Sequence, residues 1–176
     1  GLIRTHWNKS QLAKELGMEV WFPPAKLRTR CDNKMETVRI GNKAGVFSVP
    51  NALEKVESFE HLMQIAERNG LGRDLVVQSA FGDSGHTTFF IAGEDDFNKH
   101  KDEIVNDPEV KIMKRINCRG ATLEACATQS GTLVGPLLTE VVGAKELTPY
   151  KGGWSGNEVF PGAFSEEVRA KARDMA

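Results

Sequence analysis

Residues 75–91, LVVQSAFGDSGHTTFFI, constrain the fold more than any other stretch. Leu75, Val76 and Val77 read as one strand and residues 87–91 as a second, because β-branched and aromatic side chains suit a pleated surface. Between them lies AFGDSGH, in which Gly82 and Gly85 accept positive φ at little cost. The simplest object is an antiparallel hairpin with a polar, small-residue turn. Its backbone N–H groups and the hydroxyls of Ser84, Thr87 and Thr88 offer a concavity suited to phosphate oxygens. Thr87 and Thr88 alternate faces of a strand, so both cannot point into one pocket. The turn is not a Walker A loop, which ends in Gly-Lys-Ser/Thr and opens a helix. A strand follows here, which also excludes a dinucleotide fingerprint. A glycine-rich turn with no ligand stays open on local sequence alone.

The rest of the chain supplies helices and more strands. Ser10 is read as the cap of a short helix to Leu16, closed by Gly17. Residues 20–24 form a brief apolar segment stopped by two prolines. Asp32 is read as the cap of a helix over 33–44, with Met35, Val38 and Ala44 on its buried face and Gly45 at its end. Residues 46–49 read as extended and Pro50-Asn51 as a turn. Ser58 caps a stronger helix whose apolar stripe is Phe59, Leu62, Met63, Ile65 and Ala66, ended by Asn69-Gly70. After the hairpin, Asp95 or Asp96 starts a helix over 97–105. Residues 110–116 and 121–128 read as strands. Gly131 opens a further region in which Pro136 demands an edge, a bulge or a break. Residues 148–162 read as an ordered loop holding Tyr150, Trp154 and Phe160, and Ser165 caps a last helix. Helices mixed with antiparallel hairpins give the fold class α+β.

The 176 residues, 40% hydrophobic and 27% charged, are enough to bury a core in one domain or two small ones. A net charge of −1 supplies no global field for nucleic acid or anionic lipid, so neither is expected as a partner. Cys31, Cys118 and Cys126 are odd in number and widely spread, which fits a reducing compartment, and a cytoplasmic setting is expected. With no C-x-x-C pair and scattered histidines, zinc is not expected. No apolar run is long enough to span a bilayer, and no signal peptide is evident. The sequence opens on Gly1 and closes in a helical stretch, so it reads as an excised piece of a longer chain. Self-association is left open.

Four features in order carry a resemblance. Asp32-Asn33-Lys34 opens a helix that leads to Ala44-Gly45-Val46 and Val49-Pro50. Residues 72–78 enter the strand before the turn. The turn itself runs from Gly82 through Gly85, His86 and Thr87 to Thr88. Residues 110–116 form a strand leading to a hinge. This arrangement resembles the ATP-grasp superfamily, particularly its biotin carboxylase-like and carbamoyl-phosphate synthetase-like members, over roughly residues 24–175.

The resemblance implies a partial ATP-grasp fold in three parts. Residues 1–70 would be a linker and helical segment, 71–117 the first part of a glycine-loop lid subdomain, and 118–176 the remaining strands, an ordered loop and the start of the next helix. It implies ATP, and Mg²⁺ held by ligands beyond Ala176. The parent enzyme would activate bicarbonate or another carboxylate as an acyl phosphate. By position, Lys34 resembles the lysine that reaches ATP phosphate from outside the lid. Gln78 stands where many relatives have a second lysine, and it carries no cation. Gly82, Ser84, Gly85, His86 and Thr87 would form the phosphate turn, with His86 sensitive to pH near neutrality. The backbone of Lys114, Arg115 and Ile116 resembles an adenine-binding hinge, with Met113 where relatives commonly have glutamate. Glu124 resembles an acidic residue on the strand after the hinge. No catalytic residue and no metal ligand is assigned within the chain.

Plainer readings stand beside these. Lys34 is a solvated lysine in a first helical turn, His86 an exposed loop histidine, Met113 a core residue, Lys114 and Arg115 surface charges, and Glu124 a strand-edge charge. For the whole chain, Gln78 and Met113 favour a domain that keeps the fold but only binds nucleotide or scaffolds. A nucleotide-independent α+β interaction domain, with Tyr150 and Trp154 as contacts, is the third alternative.

Overall fold

The anchoring hairpin grows into a four-stranded antiparallel sheet by recruiting strands from both sides of the sequence. A computed structural model describes residues 7–20, 23–82, 85–160 and 162–176. β2 (Leu75–Gln78) pairs with β3 (Thr88–Ile91), Gln78 lying opposite Thr88. β4 (Val110–Lys114) flanks the other side of β2, and β1 (Asn51–Glu54) closes that edge, giving the order β1-β4-β2-β3. Because side chains alternate along a strand, Leu75, Val77, Phe89, Ile91, Val110 and Ile112 share one buried face. α4 (Phe59–Arg68) covers that face with the stripe Leu62, Ile65 and Ala66. Phe97 from α5 (Glu94–Lys99) and Ile104 from α6 (Lys101–Asn106) complete this core. Each of the fully buried Leu, Ile and Phe side chains stabilises the fold by about 1.5–3 kcal/mol.

The remaining strands form a second sheet, β5-β6-β7, from β5 (Ala121–Thr128), β6 (Gly131–Val142) and β7 (Trp154–Glu158). β6 continues through Pro136. Leu123 pairs with Leu137 but Ala125 pairs with Val134, so Gly135 and Pro136 together oppose Glu124 in a bulge. β7 pairs with β6 over 139–142, clear of the position where proline lacks its N–H. α7 (Glu166–Asp174) packs on β6 and is capped by Ser165, whose Oγ accepts from the Val168 N–H. The architecture is α+β with antiparallel sheets, as the sequence implies.

Several local expectations are corrected. α1 (Trp7–Glu15) contains Ser10, so that residue lies inside the helix and not at its start. Asp32 ends α2 (Ala25–Asp32), and Asn33 caps α3 (Lys34–Ala44). The helix expected over 97–105 breaks at His100, whose ring packs 4.7 Å from that of Phe89. β1, of which the sequence reading places only Asn51, in a turn, owes its extended form to full pairing with β4. β1 and α4 share the core of the hairpin through Ala52, Leu62, Ile65 and Ala66. The segment 148–162 contains β7, a strand held by β6 despite its Gly156 and Asn157.

Candidate functional site

Helix α3 starts where it does because Asn33 adopts an extended conformation and its Oδ1 accepts from the N–H groups of Met35 at 2.9 Å and Glu36 at 3.1 Å. Met35 and Val38 are buried and fix the roll of the helix. Lys34 is therefore the first helical residue and faces the turn of the hairpin. Its backbone N–H donates to the Ala80 carbonyl at 2.9 Å, and its Nζ donates to the Gly82 carbonyl at 2.7 Å. One turn further on, Arg39 forks onto both carboxylate oxygens of Glu109, at 2.6 and 2.7 Å, which ties α3 to the segment entering β4. Hydrogen bonds from Arg39 and then Arg30 hold the Glu36 carboxyl below its ordinary range.

The turn is closely fitted. Gly85 has φ of 79°, and a Cβ there would lie 2.6 Å from the backbone of Gly152, so glycine is required on both counts. Thr87 turns its hydroxyl to the Phe81 carbonyl at 3.0 Å, inside the turn. The His86 ring stacks on Tyr150 with centroids 4.2 Å apart. The loop before β7 thus lies against the turn. Ser84, singled out above, lies outside the described residues.

Next to the turn, the second face of the four-stranded sheet carries two rows. The row nearer the turn is Lys111, Gln78 and Thr88, in direct cross-strand register. Gln78 Nε2 donates to Thr88 Oγ1 at 3.0 Å. One pleat back, Met113, Val76 and Phe90 form an apolar row. The Phe90 ring receives Lys151 Nζ at 4.9 Å and the Arg115 guanidinium at 5.6 Å from its centroid. Burial, and after it the nearby Lys34 ammonium, pushes the pKa of Lys111 below the ordinary lysine value. Lys111 was not singled out from the sequence. The alternation in VKIMKRI shows that it shares a face with Met113, but its place beside Gln78 depends on the β2–β4 register, which only the tertiary fold reveals.

Other expected site residues are spread further. The N–H groups of Lys114 and Arg115 are committed to Pro50 at 3.1 Å and Asp74 at 3.0 Å, so neither donates to a ligand. The Arg115 side chain also pairs with Asp74, and Ile116 is exposed. Lys111 and Lys114 lie three residues apart, about 10 Å along β4. Glu124 sits at the bulge of the other sheet, exposed. Two surface grooves lie elsewhere. One of about 680 Å³ runs between β5, β6 and α7, where Arg169 and Arg173 are both paired with Glu166. The other, about 530 Å³, lies behind the turn and is lined by the expected site residues His86 and Thr87 together with Asp102, Glu103 and Asp107. Neither is lined by Lys34, Gln78 or Lys111. We favour the sheet face over both because it alone sets ammonium groups and neutral donors beside an apolar row, the mix that small-molecule sites require. Among the described residues, no three His, Cys, Asp or Glu side chains converge as a metal site, and no helix is long and apolar enough to cross a membrane. The cysteines Cys31, Cys118 and Cys126 are free and exposed.

No family model and no curated protein sequence matches the chain. Solved structures do match. A carboxyaminoimidazole ribonucleotide synthase from Aspergillus clavatus, solved with ATP, superposes with a TM-score of 0.71 at 16% identity, over 94% of this chain and 41% of that one. The biotin carboxylase domain of the Hydrogenobacter thermophilus 2-oxoglutarate carboxylase, solved with MgADP and bicarbonate, gives 0.75 at 12% identity, over 99% and 39%. D-alanyl-alanine synthetase A from Vibrio cholerae gives 0.63 at 11% identity, over 83% and 45%. The chain therefore spans about two fifths of the length of these proteins. All three are ATP-grasp enzymes, and the chain carries part of that fold.

Proposed function

We propose that this part of the ATP-grasp fold is the nucleotide lid, with adjoining strands, of an ATP-dependent ligase that activates bicarbonate or another carboxylate as an acyl phosphate. One observation carries the reading: Lys34, 48 residues away in sequence, holds its ammonium 2.7 Å from the Gly82 carbonyl at the mouth of the turn. The residues present also suit ATP. Lys34 and Lys111 offer ammonium groups for phosphate, Gln78 and Thr88 offer neutral polar groups, and the Met113–Val76–Phe90 row is flat and apolar enough for a base. We assign the lid to residues 51–114, wider at its start than 71–117, because β1 pairs along β4. Phosphoryl transfer is mostly positioning and electrostatics, which suits a cationic turn better than a nucleophile.

In this reaction a carboxylate oxygen bonds to the γ-phosphorus while the bond from that phosphorus to the bridging oxygen of ADP breaks. ADP leaves with the electron pair, and no proton moves. Mg²⁺ would accompany the phosphates, but the described residues do not assemble its carboxylate shell, so no step is assigned to it here. His86, Gly82, Gly85 and Thr87 keep the proposed role of shaping the turn. Adenine recognition falls to Ile116 and to carbonyl groups of the hinge, because Lys114 and Arg115 have spent their N–H groups in the sheet. A cytoplasmic setting agrees with three free cysteines.

Calorimetric titration with ATP tests the reading. The wild-type protein should bind, and Lys34→Ala should bind about tenfold or more weakly, the size of a charge-assisted contact. Absence of ATP binding by the wild type would remove the proposal. Two other readings keep an observation each. Gln78 and Met113, both uncharged, favour a domain that binds nucleotide without turnover, and ADP production stimulated by bicarbonate would exclude it. Tyr150 and Trp154 are 40% and 52% exposed, as a protein-contact role requires, although Tyr150 also stacks on His86 and Trp154 Nε1 donates to Asn157 at 3.1 Å.

A further inference from the structure

The loop between β6 and β7 reaches across to the other sheet and rests on the β3 end of its second face. The backbone of Gly152 lies flat there, so that a Cβ on it would sit 3.4 Å from the Phe90 ring and 3.5 Å from Thr88 Cγ2. Lys151 Nζ stands 4.9 Å from the centre of the same ring, and the Tyr150 ring stacks on His86 at 4.2 Å. The loop holds its own shape. The Gly143 N–H donates to the Gly153 carbonyl at 2.8 Å, the Gly153 N–H to the Tyr150 carbonyl at 2.9 Å, and the Tyr150 N–H to Thr148 Oγ1 at 3.2 Å. A Cβ at Gly143 would fall 2.4 Å from the Lys151 carbonyl oxygen, so the loop is wound too tightly for a side chain at that point. Its hold on the sheet is of another kind. Among the described residues, no hydrogen bond joins 150–153 to β2 or β3, and the contacts are ring faces and close packing. A loop stiffened by internal bonds and seated by such contacts can lift as a unit on its stem.

We propose that residues 148–153 are an autoinhibitory strap that competes with the nucleotide for this face. Seated, as here, the strap covers Thr88 and Phe90, and a base stacked on Phe90 would need the place that the Lys151 ammonium and the Gly152 backbone hold. Lifted, it uncovers both side chains. The inference rests on the nucleotide reading above and adds regulation to it. Apparent affinity is then the intrinsic affinity scaled by the fraction of molecules with the strap lifted. A strap that instead served as a wall of the pocket would add contacts to the ligand, so the two roles predict opposite signs when it is loosened.

The test uses the full chain and calorimetric titration with ATP. Tyr150→Ala with Lys151→Ala removes the ring stack and the cation from the strap and should tighten ATP binding about threefold or more. Lys151→Ala alone carries the same sign should the double variant not fold. A lock gives the converse. Thr88→Cys with Gly152→Cys, in a chain whose Cys31, Cys118 and Cys126 are replaced by serine, places two sulfurs within disulfide reach, because a Cβ at 152 lies 3.5 Å from Thr88 Cγ2. The oxidised form should bind ATP about tenfold or more weakly than the reduced form of the same protein, a comparison in which the change at Thr88 cancels. In the wild type, ATP should raise amide exchange at 150–153, whereas a wall closing on its ligand would lower it. Unchanged or weaker binding in the alanine variants, or equal affinity of the oxidised and reduced forms, would overturn the strap and leave the nucleotide reading standing. Failure of both the wild type and the loosened variants to bind ATP would overturn the nucleotide reading, and the strap as its gate with it. Binding by the loosened variants alone would support both.

Discussion

Replacing Asn33 with alanine tests whether a helix cap is what places Lys34. The Asn33 carboxamide oxygen accepts two backbone N–H groups, at 2.9 and 3.1 Å, in the turn that contains Lys34. Losing such a cap costs about 1 kcal/mol, within roughly 0.5–2. For a chain of this size that lowers the melting temperature by about 2–4 °C. The same free energy sets the effect on the site. If ligand binds only when the first turn of α3 is formed, apparent affinity falls with the fraction of molecules in which it is formed, and about 1 kcal/mol lowers it by at most about fivefold. Ser58→Ala is the matched control. It removes an equivalent cap, Ser58 Oγ to the His61 N–H at 3.1 Å, from α4 on the other side of the sheet. Urea denaturation should show similar losses for the two variants, and ATP titration should show weaker binding for Asn33→Ala alone. Asn33→Asp keeps the acceptor and should behave as wild type. An Asn33→Ala protein that loses stability but binds ATP normally would refute the reasoning. So would equal loss of binding in both alanine variants, because that would trace the effect to global stability.

Gly85→Ala should detach the turn from residues 152–153, since its Cβ would fall 2.6 Å from Gly152 at a positive φ. Amide exchange at 150–153 should rise, and Gly152→Ala, whose nearest contacts are 3.4–3.6 Å side-chain atoms, should leave it unchanged. Lys111 makes a pH prediction with a definite sign. Its folded pKa lies below 10.5, so between that lowered value and 10.5 the unfolded chain binds more protons, and stability rises with pH. Denaturation midpoints across that window should climb less steeply in Lys111→Met, and a steeper climb would contradict the burial of this lysine. Leu62→Ala, at a fully buried position, should cost about 2–5 kcal/mol in guanidinium denaturation, whereas Leu133→Ala, 68% exposed, should stay within about 0.5.

The legible parts of the fold were those with strong local signals. The stripe Phe59, Leu62, Ile65 and Ala66 specified α4 and its cap because period and capping residue agree. The run LVVQ and the run TFFI specified β2 and β3 for the same reason, and the intervening glycines specified the turn. Pro136 announced the bulge that Gly135 and Pro136 form against Glu124. β1 was missed because NALE has no β-branched residue and no alternation, and its form comes from pairing with β4, 59 residues on. β7 was missed because WSGNE is poor in strand formers and depends on β6. Asp32 was preferred to Asn33 as a cap because both residues cap well and the sequence does not say where α2 ends. At the site, Lys34 stands beside the Gly82 carbonyl, and its proposed phosphate role rests on the family resemblance, not on a local signal. Lys111 escaped notice because its partner row is assembled from three strands, and periodicity along one strand cannot show what stands beside it.

The four-stranded unit has a mechanical property that follows from its strand order. The chain enters through β1 and leaves through β4, and these are neighbours, bonded at their threshold where the Lys114 N–H meets the Pro50 carbonyl. A plate hung from two adjacent cords can swing on them like a shutter without unpicking its own ladder. Among the described residues, the polar ties that resist the swing are the clasp of α3, made by Lys34 on Ala80 and Gly82 and by Arg39 on Glu109, beside the buried Met35 and Val38 and the seat of Gly85 on Gly152. These ties are polar and close to water, each worth about 1 kcal/mol or less. Salt, or an anion competing at Lys34, therefore weakens the polar part of this clasp while the core behind it stays folded.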